Sequence, residues 1–355
     1  MKTSYISTFT LSDSTRSLLQ RQTANLAKLQ LEISSGRKAD IGLDLGARTG
    51  EAVSIRAEHT RLDALIDTNA LTASRLDVTQ AALKDLLSTT QDSLATLVAV
   101  RDSNGSASVA KGQAEGSLKL LISRLNTQLG GTYIFSGINT DTKPVTDYFA
   151  TPASASKTAV DAAFTAAFNI APFFASNQAD PNVAMITPAA MTAFLNGPFD
   201  ALFADPQWGA TWSSATNQTM TSQISPAESL NSSVSANEKP MRQLAAAFTM
   251  MADLGAEALG KETYKVVVDK AISLLGEAVV GVTNLKGGVG LAQSRVSAAS
   301  DRLEVQTGIL NRRVNDLELV NKEETAVRLN TAITQLETTY AVSSRIQRLS
   351  ILNFL

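Results

Sequence analysis

The sequence predicts a mainly α protein: long, coiled-coil-like helical arms from both termini, with an α+β insert between them. Three observations predict it. All nine prolines lie between Pro144 and Pro240, and thirteen of the nineteen aromatics lie between Tyr133 and Trp212. Large aliphatic residues on either side of that stretch recur at spacings of three and four, the period of one helix face. The chain also ends on RIQRLSILNFL, where Ile346, Leu349, Ile351, Leu352, Phe354 and Leu355 are all apolar. Composition and periodicity divide the chain into an assembly segment and connector at 1–50, a helical arm at 51–131, a surface insert at 132–239, a second arm at 240–310 and an assembly helix at 311–355.

In the first arm Leu19, Leu26, Leu29 and Ile33 share one helix face until SSGRK interrupts. The Gly-spotted connector ADIGLDLGARTG follows. A long helix is expected from about Ala52 to Arg101, with Leu62, Ile66, Leu76, Leu83, Leu87, Leu94 and Leu97 on its seam. Polar Asn69, Gln80 and Thr90 occupy intervening positions. A third helix is expected near Val109–Leu129, closed by Gly130–Gly131 as a C-cap. GGTYIFSGINT then alternates like a short strand entering a turn. The insert mixes short helical periods with breakers around a core of Phe164, Phe168, Phe194, Phe203 and Trp208. In the second arm, helices are expected near Pro240–Leu254 and Tyr264–Leu285, the latter ending at Gly287–Gly288. The last is expected to run nearly unbroken from Val289 to the C-terminus. Its seam includes Leu303, Leu310, Val314 and Leu317, then Leu329, Ile333, Leu336 and Tyr340.

Burying the six large side chains at the C-terminus gains roughly 9–18 kcal/mol gross. Ordering about ten residues costs roughly 10–20 kcal/mol. The segment is therefore expected to fold only when further surface covers it, and residues 1–35 more weakly so.

Chemistry-bearing patterns are few. The chain has no cysteine, which removes thiolate nucleophiles, Cys-based zinc sites and disulfides together. Its single histidine, His59, lies four residues before Asp63; a two-histidine metal motif is impossible, and a solvent-facing helix residue is the expectation. KGGVGLAQSR has Gln293 where a dinucleotide fingerprint requires its third glycine, and it follows a helix. No phosphate loop, nucleophile elbow or calcium loop is present. Non-enzymatic function is expected, with no cofactor and no metal. A net charge of −2 argues against nucleic acid. No apolar run reaches membrane-spanning length, and MKTSYISTFTLSDSTRS has no hydrophobic block, so neither a membrane partner nor a cleaved secretory signal is expected.

Three stretches resemble one family. KLQLEISSGRKAD resembles the N-terminal signature of bacterial flagellins, in which a helix ends in Ile-Ser-(Ser/Thr)-Gly before a basic residue. RLNTAITQLETTYAVSSRIQRLSILNFL is similar to the family's C-terminal helix, especially in alphaproteobacterial forms. NTQLGGTYIFSGINTDTKP resembles the segment that marks the hook–filament junction branch of the family. The stretch after SSGRK departs from the family's frequent Pro-Ser-Asp-Asp run. The resemblance implies export in an unfolded state through the flagellar type III apparatus and assembly outside the cell into a ring or tubular homo-oligomer. It also implies a second hook-associated protein on the hook side, flagellin on the filament side, and an export chaperone covering the C-terminal helix. The assembly interface it implies comprises Leu19, Leu26, Leu29, Ile33, Leu329, Ile333, Leu336, Tyr340, Ile346, Leu349, Leu352, Phe354 and Leu355. A filament-forming flagellin is the nearest alternative; an adhesin or signalling coiled coil using the aromatic insert, and an enzyme hidden in it, rank below.

Overall fold

A computed structural model describes the backbone of residues 8–101 and 107–352, and the side chains of 13–101 and 107–345. Contacts divide the chain into two units, one of Met1–Ala64 with Glu304–Leu355, the other of Leu65–Leu303. Helices α3 (Thr49–Val100) and α10 (Lys261–Glu318) contribute residues to both.

In the first unit α1 (Thr8–Ser35) stops because Gly36 takes a positive φ of 71° while its N–H still bonds Glu32 O at 2.8 Å. Arg37 then pairs with Leu319 in an isolated antiparallel bridge: Lys38 N donates to Glu318 O at 2.8 Å, and Val320 N to Gly36 O at 3.1 Å. The connector is ordered as a short helix. In α2 (Ile41–Leu45) Asp40 caps the start by accepting from Leu43 N at 2.9 Å, and a 3₁₀ turn at Gly46–Arg48 leads into α3. Leu45, Ala52, Ile55, Val314 and Leu317 form the small core of this region.

Residues 319–321 break the last helix, which was expected to run nearly unbroken from Val289. α10 ends at Glu318 and α11 (Lys322–Leu352) begins anew. Asn321 Oδ1 accepts from Glu323 N and Glu324 N at 3.0 and 3.3 Å, a side-chain cap followed by two acids in the first turn. Conversely, Gly287 and Gly288 do not end a helix. α10 passes through them, because glycine costs only about 1 kcal/mol in a helix interior and the packed arm outweighs that.

In the second unit, α4 (Ala107–Leu125) ends four residues earlier than expected, and Gly130–Gly131 are not its cap. They take φ of 58° and 83° and turn the hairpin of β1 (Gln128–Leu129) and β2 (Thr132–Tyr133). The insert follows as α5 (Ala155–Phe168), α6 (Pro188–Asn196), α7 (Pro198–Ala201), α8 (Gln207–Thr211) and a second hairpin, β3 (Thr221–Ser225) with β4 (Glu228–Asn231). Its five expected core aromatics are all buried. Tyr148 stacks on Trp212 at 5.2 Å and Trp212 on Trp208 at 5.5 Å. Asn237 anchors this stack, accepting from Trp208 Nε1 at 2.8 Å and Ser213 Oγ at 2.6 Å. The helix α9 (Lys239–Asp253) is buried on nearly every side, as a central bundle helix must be. One glycine of α10 is sterically required: a Cβ at Gly281 would sit 2.3 Å from Pro240 Cγ.

Candidate assembly interface

α1 and α11 pack side by side in the first unit. On α1 the covered stripe positions are Leu19, Gln22, Leu26, Leu29 and Ile33, spaced 3, 4, 3 and 4; Leu29 is buried and the others half-buried, and Glu32 beside Ile33 is buried as well. On α11 they are Thr325, Leu329, Ala332, Leu336, Thr339 and Ser343, spaced 4, 3, 4, 3 and 4. Both stripes follow a coiled-coil period. The α11 stripe differs from the seam read off the sequence. Ile333 and Tyr340, seven residues apart, sit one step round the helix from Ala332 and Thr339, and are 37% and 55% exposed. Thr325, Ala332, Thr339 and Ser343 share the inner stripe with Leu329 and Leu336, while Ile333 and Tyr340 form an outer flank. Leu329 and Leu336 of the expected seam lie on this stripe, and a strict heptad starting at Thr325 finds the rest of it. The side chains of Ile346, Leu349, Leu352, Phe354 and Leu355 lie outside the described residues, with Leu352 the last residue of α11.

Charge is concentrated where the helix pair meets the connector. Glu318 is fully buried, with its carboxylate between Arg56 and Arg37, the latter at 3.7 Å. Lys38 Nζ donates to Leu317 O at 2.8 Å, and Ala39 N to Glu32 Oε1 at 3.3 Å. Lys28 bonds Asp44 at 2.8 Å, and that hydrogen bond raises the Lys28 ammonium above the ordinary lysine range. Glu51 accepts from Arg313 at 2.9 Å and Arg48 at 3.4 Å, which hold its carboxyl below its ordinary range. A groove of about 620 Å³ opens beside this collar, lined in part by Lys28, Lys38, Asp44, Glu324 and Arg328. Both signs of charge line it, so it suits a mixed protein surface better than one small ion. Neither the Glu318 collar nor the Asn321 cap was found in the sequence reading. The cap had a signal, Asn-Lys-Glu-Glu; the collar joins residues distant in sequence and had none.

His59 Nδ1 meets Asp63 Oδ2 at 2.8 Å on α3, with the imidazole partly exposed. Among the described residues no group of three or more His, Cys, Asp or Glu gathers as metal ligands do, and no helix is long and apolar enough to cross a membrane.

Paired terminal helices with an apolar outer flank, joined by a charged collar, define a structural protein of the coiled-coil-assembling class. Sequence comparison specifies the class. The model of the bacterial flagellin N-terminal helical region matches residues 6–140, and that of the C-terminal helical region matches residues 272–355. Together they cover well over half of the chain, which belongs to the bacterial flagellin family. It is a structural subunit of the flagellum. The fold is similar to that of a flagellar hook-associated protein from Vibrio parahaemolyticus, with a TM-score of 0.51 at 10% identity over 76% of this chain and 97% of that one. No curated protein matches.

Proposed function

We propose that this subunit forms the junction layer between hook and filament, in the manner of hook-associated protein 3. The observation that carries the reading is the segment 126–144, which resembles the junction branch and forms the base of the insert. Asn126 clamps it shut, its Oδ1 accepting from Val145 N at 3.0 Å and its Nδ2 donating to Val145 O at 2.9 Å. Phe135 is fully buried behind the β1–β2 hairpin, and its carbonyl accepts from Ala236 N at 2.8 Å. The segment thus ties the start of the insert to its end. The hook-associated character of the structural neighbour favours the same branch.

In this reading the Ile333–Tyr340 flank and the end of α11 are covered by neighbouring copies in the flagellum and by an export chaperone beforehand. A hook-associated partner adjoins one side of the layer, and flagellin the other. The purified chain, incubated alone and then with hook and cap proteins, tests this in electron micrographs. Short layers formed only on hooks are expected. Open-ended filaments of this chain alone would overturn the junction role in favour of a filament-forming flagellin.

A further inference from the structure

The second unit holds a group of reactive side chains for which packing into a tube has no use. Lys157 on α5 reaches Asp253, the last residue of α9, with Nζ 3.1 Å from Oδ2. The hydroxyl of the buried Tyr148 donates to the same Oδ2 at 2.5 Å. Asp161, one turn beyond Lys157 on α5, also contacts the ammonium, and Gln178 Nε2 donates to Asp161 Oδ1 at 2.7 Å. The rings of Phe149 and Trp212 flank Tyr148 at 5.3 and 5.2 Å.

The surroundings of the pair act on condensation in opposite directions. Burial pushes the Asp253 carboxyl up, against the hydrogen bond from Tyr148 and the charge of Lys157. The carbonyl end of α9 further disfavours a carboxylate there. A neutral acid is the electrophilic form, and the Tyr148 hydroxyl polarises it. Burial pulls the Lys157 ammonium down, but Asp161 and Asp253 together outweigh it and leave it raised, so the free amine must be made in place. Asp161 is the base positioned to make it.

We propose that Lys157 and Asp253 condense into an amide, an intramolecular isopeptide bond that ties α5 to the end of α9. Asp161 takes one proton from the Lys157 ammonium. The freed Nζ pair attacks Cγ of the protonated Asp253, and the C–N bond forms. The C–OH bond then breaks, and the hydroxyl leaves as water with the second nitrogen proton, relayed through Asp161. The amide keeps the third. Nothing is oxidised or reduced, and no external reactant is consumed. Juxtaposition by the fold supplies the effective concentration that makes such a step feasible. The bond forms only after folding, so it gives a chain without cysteine a covalent lock. This inference holds for junction subunit and filament subunit alike.

Intact-mass spectrometry of the purified, folded, full-length chain tests it. The expected result is a mass lower than the sequence mass by one water, located by fragmentation to a branched peptide joining the segments that carry Lys157 and Asp253. Lys157→Arg, which keeps the charge, and Asp253→Ala are both expected to show the full sequence mass. Asp161→Asn is expected to slow the loss at least about tenfold, as removal of a general base does. A wild-type chain that keeps its full mass after prolonged incubation would overturn the proposal and leave an ion pair only. Water loss that persists in Lys157→Arg would overturn it equally.

Discussion

The two units of this molecule solve the same packing problem with unequal means. The second encloses one continuous core running from Leu76 to Ala299, with both tryptophans, seven phenylalanines and a helix buried on nearly every side. The first has five small or medium side chains at its base, above which two helices meet along half-covered stripes. Apolar burial is the dominant favourable contribution to folding, so the second unit carries most of the stabilisation that the chain supplies by itself. The difference separates what must hold shape alone from what must hold other copies.

The sharpest way to break the comparison is to damage each unit where it is strongest. Trp208→Ala removes a fully buried ring from the stack with Trp212 and Phe203, and should destabilise the second unit by about 3–5 kcal/mol, read by chemical denaturation. A loss under about 1 kcal/mol would deny that unit its self-sufficient core. Ile333→Asp is expected to leave the melting temperature of the monomer unchanged, because the side chain is already exposed, yet to raise the concentration needed for assembly at least tenfold, about 1.4 kcal/mol. Leu336→Asp, on the inner stripe, should impair both; equal behaviour of the two variants would erase the distinction between stripe and flank. Asn321→Ala removes the cap of α11 and should cost about 1 kcal/mol of local stability, seen as faster amide exchange at its first turn with the second unit unaffected. The smallest effect is a gain: Gly287→Ala, where a Cβ meets nothing within 4 Å, should stabilise α10 by about 0.5–1 kcal/mol.

The arms were readable in the sequence because periodicity over many turns is insensitive to a single odd residue. α3 was expected from Ala52 to Arg101 and spans Thr49–Val100, and the expected Pro240–Leu254 helix is α9 at Lys239–Asp253. Punctuation was harder to read. A glycine pair has the same letters whether it turns a hairpin, as at Gly130–Gly131, or passes unnoticed inside a helix, as at Gly287–Gly288. Tertiary packing decides between them, and no local signal carries that information. On the inner stripe of α11 the sequence reading named Leu329 and Leu336 but not Ala332 and Thr339, which look unremarkable beside Ile333 and Tyr340, although narrow residues allow two helices to approach closely. Lys157 and Asp253 lie ninety-six positions apart in the sequence and meet only because α5 and the end of α9 fold together.

Between residues 276 and 290, α10 carries Gly276, Gly281, Gly287, Gly288 and Gly290, of which only Gly281 is demanded by a close neighbour. A rod so poor in side chains resists bending less than the same rod built of alanine. A structural subunit of the flagellum benefits from one compliant stretch, because a bend spread over several residues strains no single joint.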